Sequence, residues 1–396
     1  MKHARIITPV VLLVSLVSLF TDIASEMLYP VMPVYLQSIG FSIILIGVLE
    51  GMAEAVAGLS KGYFGHLSDT LEKRVPFIRG GYTLSALSKP MMAAFTFPWW
   101  IFFARTLDRL GKGIRNSARD AMLSAESLPE NKGKVFGFHR AMDTLGAAIG
   151  PVLALILLQY YPGQYALIFM IAFVPGLVAV SLTLLLKEKK TEIPRKKNPG
   201  FFAYLKYWNR AGRQYKLIVA GLLAFTLFNS SDAFLLLRVK EATGSDTQMI
   251  SMYIFYNLVY ALAAYPLGIL ADRLGLKTML FSGLAIFAII YLGFGFAALP
   301  MHFVLLFLGY ALYAAATEGV SKALISNLAD KNDTATAIGF FTSFSSIFAM
   351  MASSLAGFIW FSFSAQTMFV VAAIGVVLTL LFLVFANHQL NQTQTH

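Results

Sequence analysis

The sequence predicts an all-α polytopic membrane protein with twelve transmembrane helices in two six-helix, pseudo-symmetric bundles. Three observations predict it. The 396 residues are 58% hydrophobic and only 13% charged, against about 45–50% apolar and about 25% charged in an average soluble domain. Turn and charge punctuation divides the chain into twelve apolar stretches. The second half repeats landmarks of the first at an offset of about 200 residues.

The stretches of the first half are 7–37, 42–67, 78–97, 99–123, 135–159 and 164–186. Those of the second are 216–238, 247–271, 276–297, 301–327, 335–360 and 364–386. Each is long enough to cross a hydrocarbon core of about 30 Å, which takes about 20 residues. The first stretch follows a short basic start, as a signal peptide would. No small-residue cleavage site follows it, so it reads as a helix that stays. The organisation expected is a bundle over 1–187, a basic connector over 188–215, and a second bundle over 216–396 with a short tail.

Lys and Arg set the orientation. The stretch from Lys187 to Lys216 carries ten of them, and short links add Lys73, Arg74, Arg79, Lys132, Lys134, Arg273, Lys277 and Lys331. Links on the opposite side, such as Tyr160–Tyr165, carry none, with Lys240 the main exception. By the positive-inside rule both termini and the connector are expected in the cytoplasm, the chain being multi-pass in a bacterial inner membrane. The net charge of +11 is thus a topology signal and not a nucleic-acid footprint. A lipid-headgroup contact for the connector is a secondary expectation. Cysteine is absent and the six histidines show no ligand spacing, so thiol chemistry and a metal site are not expected. No cofactor is expected.

The repeat is local as well as global. Gly65-His66-Leu67-Ser68-Asp69 has its counterpart in Gly268-Ile269-Leu270-Ala271-Asp272, and the segment from Ala121 to Gly137 in the segment from Ala323 to Gly339. On these motifs the chain resembles the major facilitator superfamily along essentially its full length. The second copy fits that family's G-x-x-x-D-R-x-G-R/K loop signature with Gly268, Asp272, Arg273, Gly275 and Lys277. The first copy keeps Gly65, Asp69, Lys73 and Arg74 but has Glu72 where the family has glycine, so a different turn is expected there. Arg109 and Gly113 match the family's R-x-x-x-G motif, and Gly146, Gly150 and Pro151 its G-x-x-x-G-P motif, associated with antiporters. The glycine pair that trails the latter motif is missing. The resemblance implies alternating access, with helices 1, 4, 7 and 10 lining a central cavity.

Charges inside the spans are costly, about 2.5–3.5 kcal/mol each on insertion scales, and so mark candidate sites. Asp22 and Glu26, and Glu50 and Glu54, are pairs four apart, each on one helix face. Helix 4 carries Arg105, Asp108 and Arg109, and helix 5 Arg140 and Asp143, so the acids of helices 1 and 2 have basic candidates on helices 4 and 5. The second half offers Asp232, with Glu318 and Lys322 one turn apart. The expected role is proton coupling, with Asp22 and Glu26 foremost and Arg109 or Arg105 as charge partner. A static ion-pair network is the structural alternative, with Arg140–Asp143 and Glu318–Lys322 as local pairs. The sequence around Asp232 resembles that around Glu26, which suggests symmetry mates. Gly65, Asp69, Arg74, Gly268, Asp272 and Arg273 are expected to form a cytoplasmic gate. The aromatic-rich segments receive no ligand role, and Gly111-Lys112-Gly113 reads as close helix packing and not as a phosphate loop.

The functional expectation is a proton-coupled transporter exporting a small amphipathic or cationic compound, working as a monomer with substrate, protons and lipid as its partners. The chain has no ATP-binding motif. Symport or uniport of a metabolite is the runner-up, and a membrane enzyme or sensor the remote alternative.

Overall fold

The computed structural model describes residues 6–29, 31–41, 43–188 and 200–394. Of the connector, 189–199 lie outside the described residues, and so does the side chain of Glu50. The helices are α1 (Pro9–Glu26), α2 (Met32–Ser38), α3 (Ile43–Thr70), α4 (Val75–Ala94), α5 (Pro98–Ala125), α6 (Lys132–Tyr160) and α7 (Tyr165–Thr183). After the connector come α8 (Tyr207–Arg210), α9 (Arg213–Thr226), α10 (Asp232–Thr243), α11 (Asp246–Leu274), α12 (Leu276–Phe296), α13 (Pro300–Leu328), α14 (Thr334–Ser362) and α15 (Ala365–Gln394). No strand occurs among the described residues.

Eight helical segments of the described residues are long and apolar enough to cross a membrane. Helices α3, α4 and α5 match them in length. The stretches 7–37 and 216–238, read as single spans, are each broken in two. α1 stops at Glu26 and α9 at Thr226, the same place in each repeat. Tyr29-Pro30 disfavours helix in the first case. In the second, Ser231 leaves the helical path and caps α10, its hydroxyl accepting from the Ala233 N–H.

The chain forms two compact units. The first comprises Met1–Leu128, Met142–Tyr207 and Asp330–Ser343. In it α5 packs on α3 and α4, and α7 on α4 and α1. One core cluster gathers Met27, Val31, Tyr35, Ile101 and Phe169. The second comprises Pro129–Ala141, Trp208–Ala329 and Phe344–His396. There α13 packs on α11 and α12, and α15 on α12 and α9, the same pattern repeated.

Small residues bring in the exchanged segments. A Cβ on Gly65 of α3 would meet the Ala335 carbonyl and one on Gly339 the Lys61 carbonyl, both in the first unit. In the second, Cβ atoms on Gly268 and Gly137 would meet the carbonyls of Gly133 and Ala264. Backbones this close leave no room for a side chain.

Candidate functional site

Helix α5 places Arg105, Arg109, Lys112 and Arg119 at steps of four, three and seven, which is one helix face. In the first unit that face meets acids from three helices. Lys112, Arg109 and Arg105 act electrostatically on Glu26 of α1 and on Glu54 of α3. Arg109 Nε lies 3.8 Å from Glu54 Oε2. Asp22, one turn before Glu26, lies against Asp143 of α6, with Lys112 as its basic neighbour. Gly146 and Gly150 let α6 approach α1 closely: their Cβ atoms would meet the carbonyls of Leu19 and Ile23. The G-x-x-x-G-P motif, with Pro151 within α6, thus packs the helix that carries Asp143 against the helix that carries Asp22.

Around this cluster lies a buried ion network. Asp108 accepts from Lys89 Nζ at 2.6 Å and from Arg105 Nη1 at 3.4 Å. Ser18 donates to Asp143 at 2.6 Å, Arg119 Nη1 donates to Ser18, and Arg119 also pairs with Asp120 at 2.9 Å. Arg115 donates to Ser85 and stands 4.5 Å over the Tyr82 ring. Asp108 is therefore held between two cations, Lys89 and Arg105, while Asp22, Glu26 and Glu54 share the field of Lys112.

The second unit builds its polar site from phenols. Asp232 begins α10 and accepts from the Tyr310 hydroxyl at 2.7 Å. Arg140 pairs with Glu318 and donates to the Tyr260 hydroxyl at 2.6 Å, its guanidinium 5.3 Å from that ring. Tyr256 stacks obliquely on Tyr310 at 5.2 Å, and Tyr310 on Tyr313 at 5.3 Å. Ser230 and Asn229, in the break before α10, bond the Tyr291 and Tyr313 hydroxyls.

The loop-motif residues cap helices. Asp69 accepts from the Thr336 N–H at 2.6 Å and the Thr336 hydroxyl at 2.8 Å, at the start of α14, and from Arg74 at 3.0 Å. His66 Nδ1 lies 3.2 Å from the same Thr336 hydroxyl, whose hydrogen goes to Asp69, so His66 donates. Burial pushes the Asp69 carboxyl up to about 6, with Arg74 and the Thr336 donors pulling it back. Asp272 accepts from the N–H groups of Gly133 and Lys134 at 2.7 and 2.9 Å, at the start of α6. A carboxylate at a helix N-terminus meets free N–H donors and the positive end of the dipole. Arg273 is exposed. The turns of the two copies differ, as expected at Glu72: residues 71–74 separate α3 from α4, with Glu72 at φ +52°, whereas Gly275 alone, at φ +94°, separates α11 from α12. Positive φ is common to both positions although the glycine is not.

Lys112, Lys89, Arg115, Arg119 and the five tyrosines were not among the expected site residues. The spacing of Lys112 from Arg105 and Arg109, and the pairs Tyr256/Tyr260 and Tyr310/Tyr313, were the available signals.

With this geometry in place, a model described as the Major Facilitator Superfamily matches residues 14–239 and 217–395. An uncharacterised MFS-type transporter of Methanocaldococcus jannaschii is 32% identical over 97% of this chain and 96% of its own. A multidrug resistance efflux pump homologue of Lactococcus lactis is 25% identical over 72% and 71%. Among solved structures, the human organic anion transporter MFSD10 aligns with TM-score 0.80 at 16% identity over 94% and 98% of the chains. The fucose:proton symporter of E. coli aligns with TM-score 0.77 at 16% identity over 97% and 99%.

Proposed function

Because the chain belongs to the Major Facilitator Superfamily, and so is a membrane transporter and not an enzyme, we propose that it couples proton movement to export of a small amphipathic or cationic compound by alternating access. The observation that carries the reading is the set of acids Asp22, Glu26 and Glu54 under the field of Lys112, Arg109 and Arg105 in helices that cross the membrane. A carboxylate beside a cation gives up its proton readily, and one in low dielectric without the cation holds it. A change of face that withdraws Lys112 from Glu26 loads the proton; its return expels it. Asp232 and Glu318, beside Arg140, form a second acidic station.

The reading places both termini and the connector in the cytoplasm, following the Lys/Arg bias. There, Asp69 and Asp272 act as gate residues: each holds the first turn of a helix from the other repeat, and release of both lets the cytoplasmic side open. The multidrug names among the relatives favour export. Import by proton symport is the second reading, favoured by the fold shared with the fucose:proton symporter.

The test is proton flux in energised inside-out vesicles with a ΔpH-sensitive dye, against a panel of lipophilic cations and metabolites. The expected result is a cation that dissipates ΔpH only with the protein present, an effect lost in Glu26→Gln. Intact proton-driven transport in Glu26→Gln would remove the coupling role. Substrate-driven alkalinisation outside right-side-out vesicles would replace export by symport.

A further inference from the structure

The connector re-enters the described residues at Gly200 and forms a short turn whose two faces are sharply different. Tyr204 and Tyr207, three apart, are buried at 2% and 4% exposure. Phe201, Phe202, Leu205 and Lys206 point outwards, the two phenylalanines 44% and 61% exposed. In the one-turn 3-10 helix Ala203–Lys206, residues three apart eclipse, which fixes this division. Phe201 stacks at 4.9 Å on Tyr63 of α3. The outward apolar row therefore sits on the flank of a helix that crosses the membrane.

The inward face has a definite seat in the same unit. A Cβ on Gly62 of α3 would strike the Tyr204 ring. The Tyr204 hydroxyl lies 3.3 Å from the Ser343 hydroxyl of α14. Gly339 packs on the Lys61 carbonyl one turn away, and Ser117 donates to that same carbonyl. Tyr204 thus fills the crevice between α3 and α14, on the side chains that neighbour the Asp69–Thr336 cap.

We infer that the segment Phe201–Lys206 is an interfacial anchor that docks on the anionic headgroup surface of the membrane, with Tyr204 as the strut that braces α3 against α14. Charge complementarity selects this partner. The stretch from Lys187 to Lys216 holds ten Lys and Arg against only Glu188 and Glu192. Glu188 is already taken up by the N–H groups of Arg74 and Val75 at the start of α4. Phenylalanine and leucine beside lysine suit the boundary between acyl chains and headgroups, where apolar burial and attraction to anionic lipid act together. The inference stands apart from the transport reading, since no step of it involves substrate or proton.

The chain has no cysteine of its own, so Phe202→Cys takes one environment-sensitive fluorophore. The full chain is placed in nanodiscs of phosphatidylcholine with and without phosphatidylglycerol. The expected result is blue-shifted emission, quenched by a lipid nitroxide, in the phosphatidylglycerol discs. The shift should shrink in pure phosphatidylcholine, in 1 M salt, where screening falls to about 3 Å, and in Lys206→Gln/Arg210→Gln. Emission that is aqueous in every disc, or identical across lipids and salt, would overturn the docking. For the strut, alkylation of Ser343→Cys should rise several-fold with Tyr204→Ala and much less with Tyr204→Phe, which keeps the ring. Unchanged alkylation in Tyr204→Ala would overturn the bracing role.

Discussion

In the first unit, polar groups inside the helical core are ions answered by ions: Lys89 and Arg105 on Asp108, Arg119 on Asp120, Arg109 near Glu54. In the second, the half-buried acid Asp232 is answered by the Tyr310 phenol, and Arg140 by a phenol as well as by Glu318. The difference sets how each region tolerates a change of charge. Removing one member of a buried ion pair strands the other, at about 3–5 kcal/mol. Removing one phenol donor from a carboxyl group costs about 1–3 kcal/mol.

The largest effect is expected at Asp108. Asp108→Asn leaves Lys89 and Arg105 under-compensated, and a loss of about 3–5 kcal/mol is expected, read as a fall in the thermal midpoint of the purified protein. Lys89→Met combined with Asp108→Leu should recover the part due to Lys89, while Arg105 still lacks its contact with Asp108. A midpoint unmoved by Asp108→Asn would mean that the network is not structural. In the second unit Tyr310→Phe should cost about 1–3 kcal/mol by the same measurement. It should also shift the pH profile of proton-driven transport. A larger thermal loss than that of Asp108→Asn would reverse the ranking of the two regions.

The two loop turns sharpen the contrast further. Glu72 holds a left-handed conformation that costs a side-chain-bearing residue about 1–2 kcal/mol, whereas Gly275 holds its own at no steric cost. Glu72→Gly should therefore raise the thermal midpoint, by about 1 kcal/mol once the added freedom of glycine in the unfolded chain is subtracted. The last expected effect is on pH. Asp69 sits at about 6 when buried against Thr336 and Arg74, and near the ordinary carboxylate value of about 4 when it faces water. The capped arrangement thus binds a proton more readily, so it is favoured as pH falls through 6 and loses ground as pH rises above it. Distance measurements between spin labels on α3 and α14, from pH 7.5 to 5, should show a shift of about tenfold towards the capped arrangement. His66→Gln removes the other titration beside Thr336. A shift in the opposite direction would show that the carboxylate, and not the acid, makes the stronger cap.

The helix order and most boundaries were legible because long apolar runs alternate with loops rich in Lys, Pro and Gly. The stretch 276–297 and α12 agree within a residue. The breaks at 27–31 and 227–231 were not legible, because hydropathy averaged over a whole span hides a short turn, even where Asn229, Ser230 and Ser231 mark it. The acids were legible as costs: Asp22, Glu26 and Asp232 stand out against apolar neighbours. Their partners were not. Arg115 and Arg119 fall in a stretch already dense with charge, and periodicity says which face a residue shares but not which helix it meets. Tyrosine gives still less warning. Tyr256, Tyr260, Tyr291, Tyr310 and Tyr313 come from three helices, and tertiary packing alone assembles them.

The two aspartate caps carry one more consequence. Asp69 of the first repeat grips the start of α14 in the second, and Asp272 of the second grips the start of α6 in the first. Residue i meets j and the copy of j meets the copy of i, which is the arithmetic of an isologous two-fold interface. A six-helix module bearing both a cap and a capped helix is self-complementary, so two identical copies satisfy each other without any connector. Tandem fusion of such a module keeps both caps and lets the halves diverge, one towards ions and the other towards phenols. Co-expression of the two halves as separate chains should accordingly reconstitute the whole.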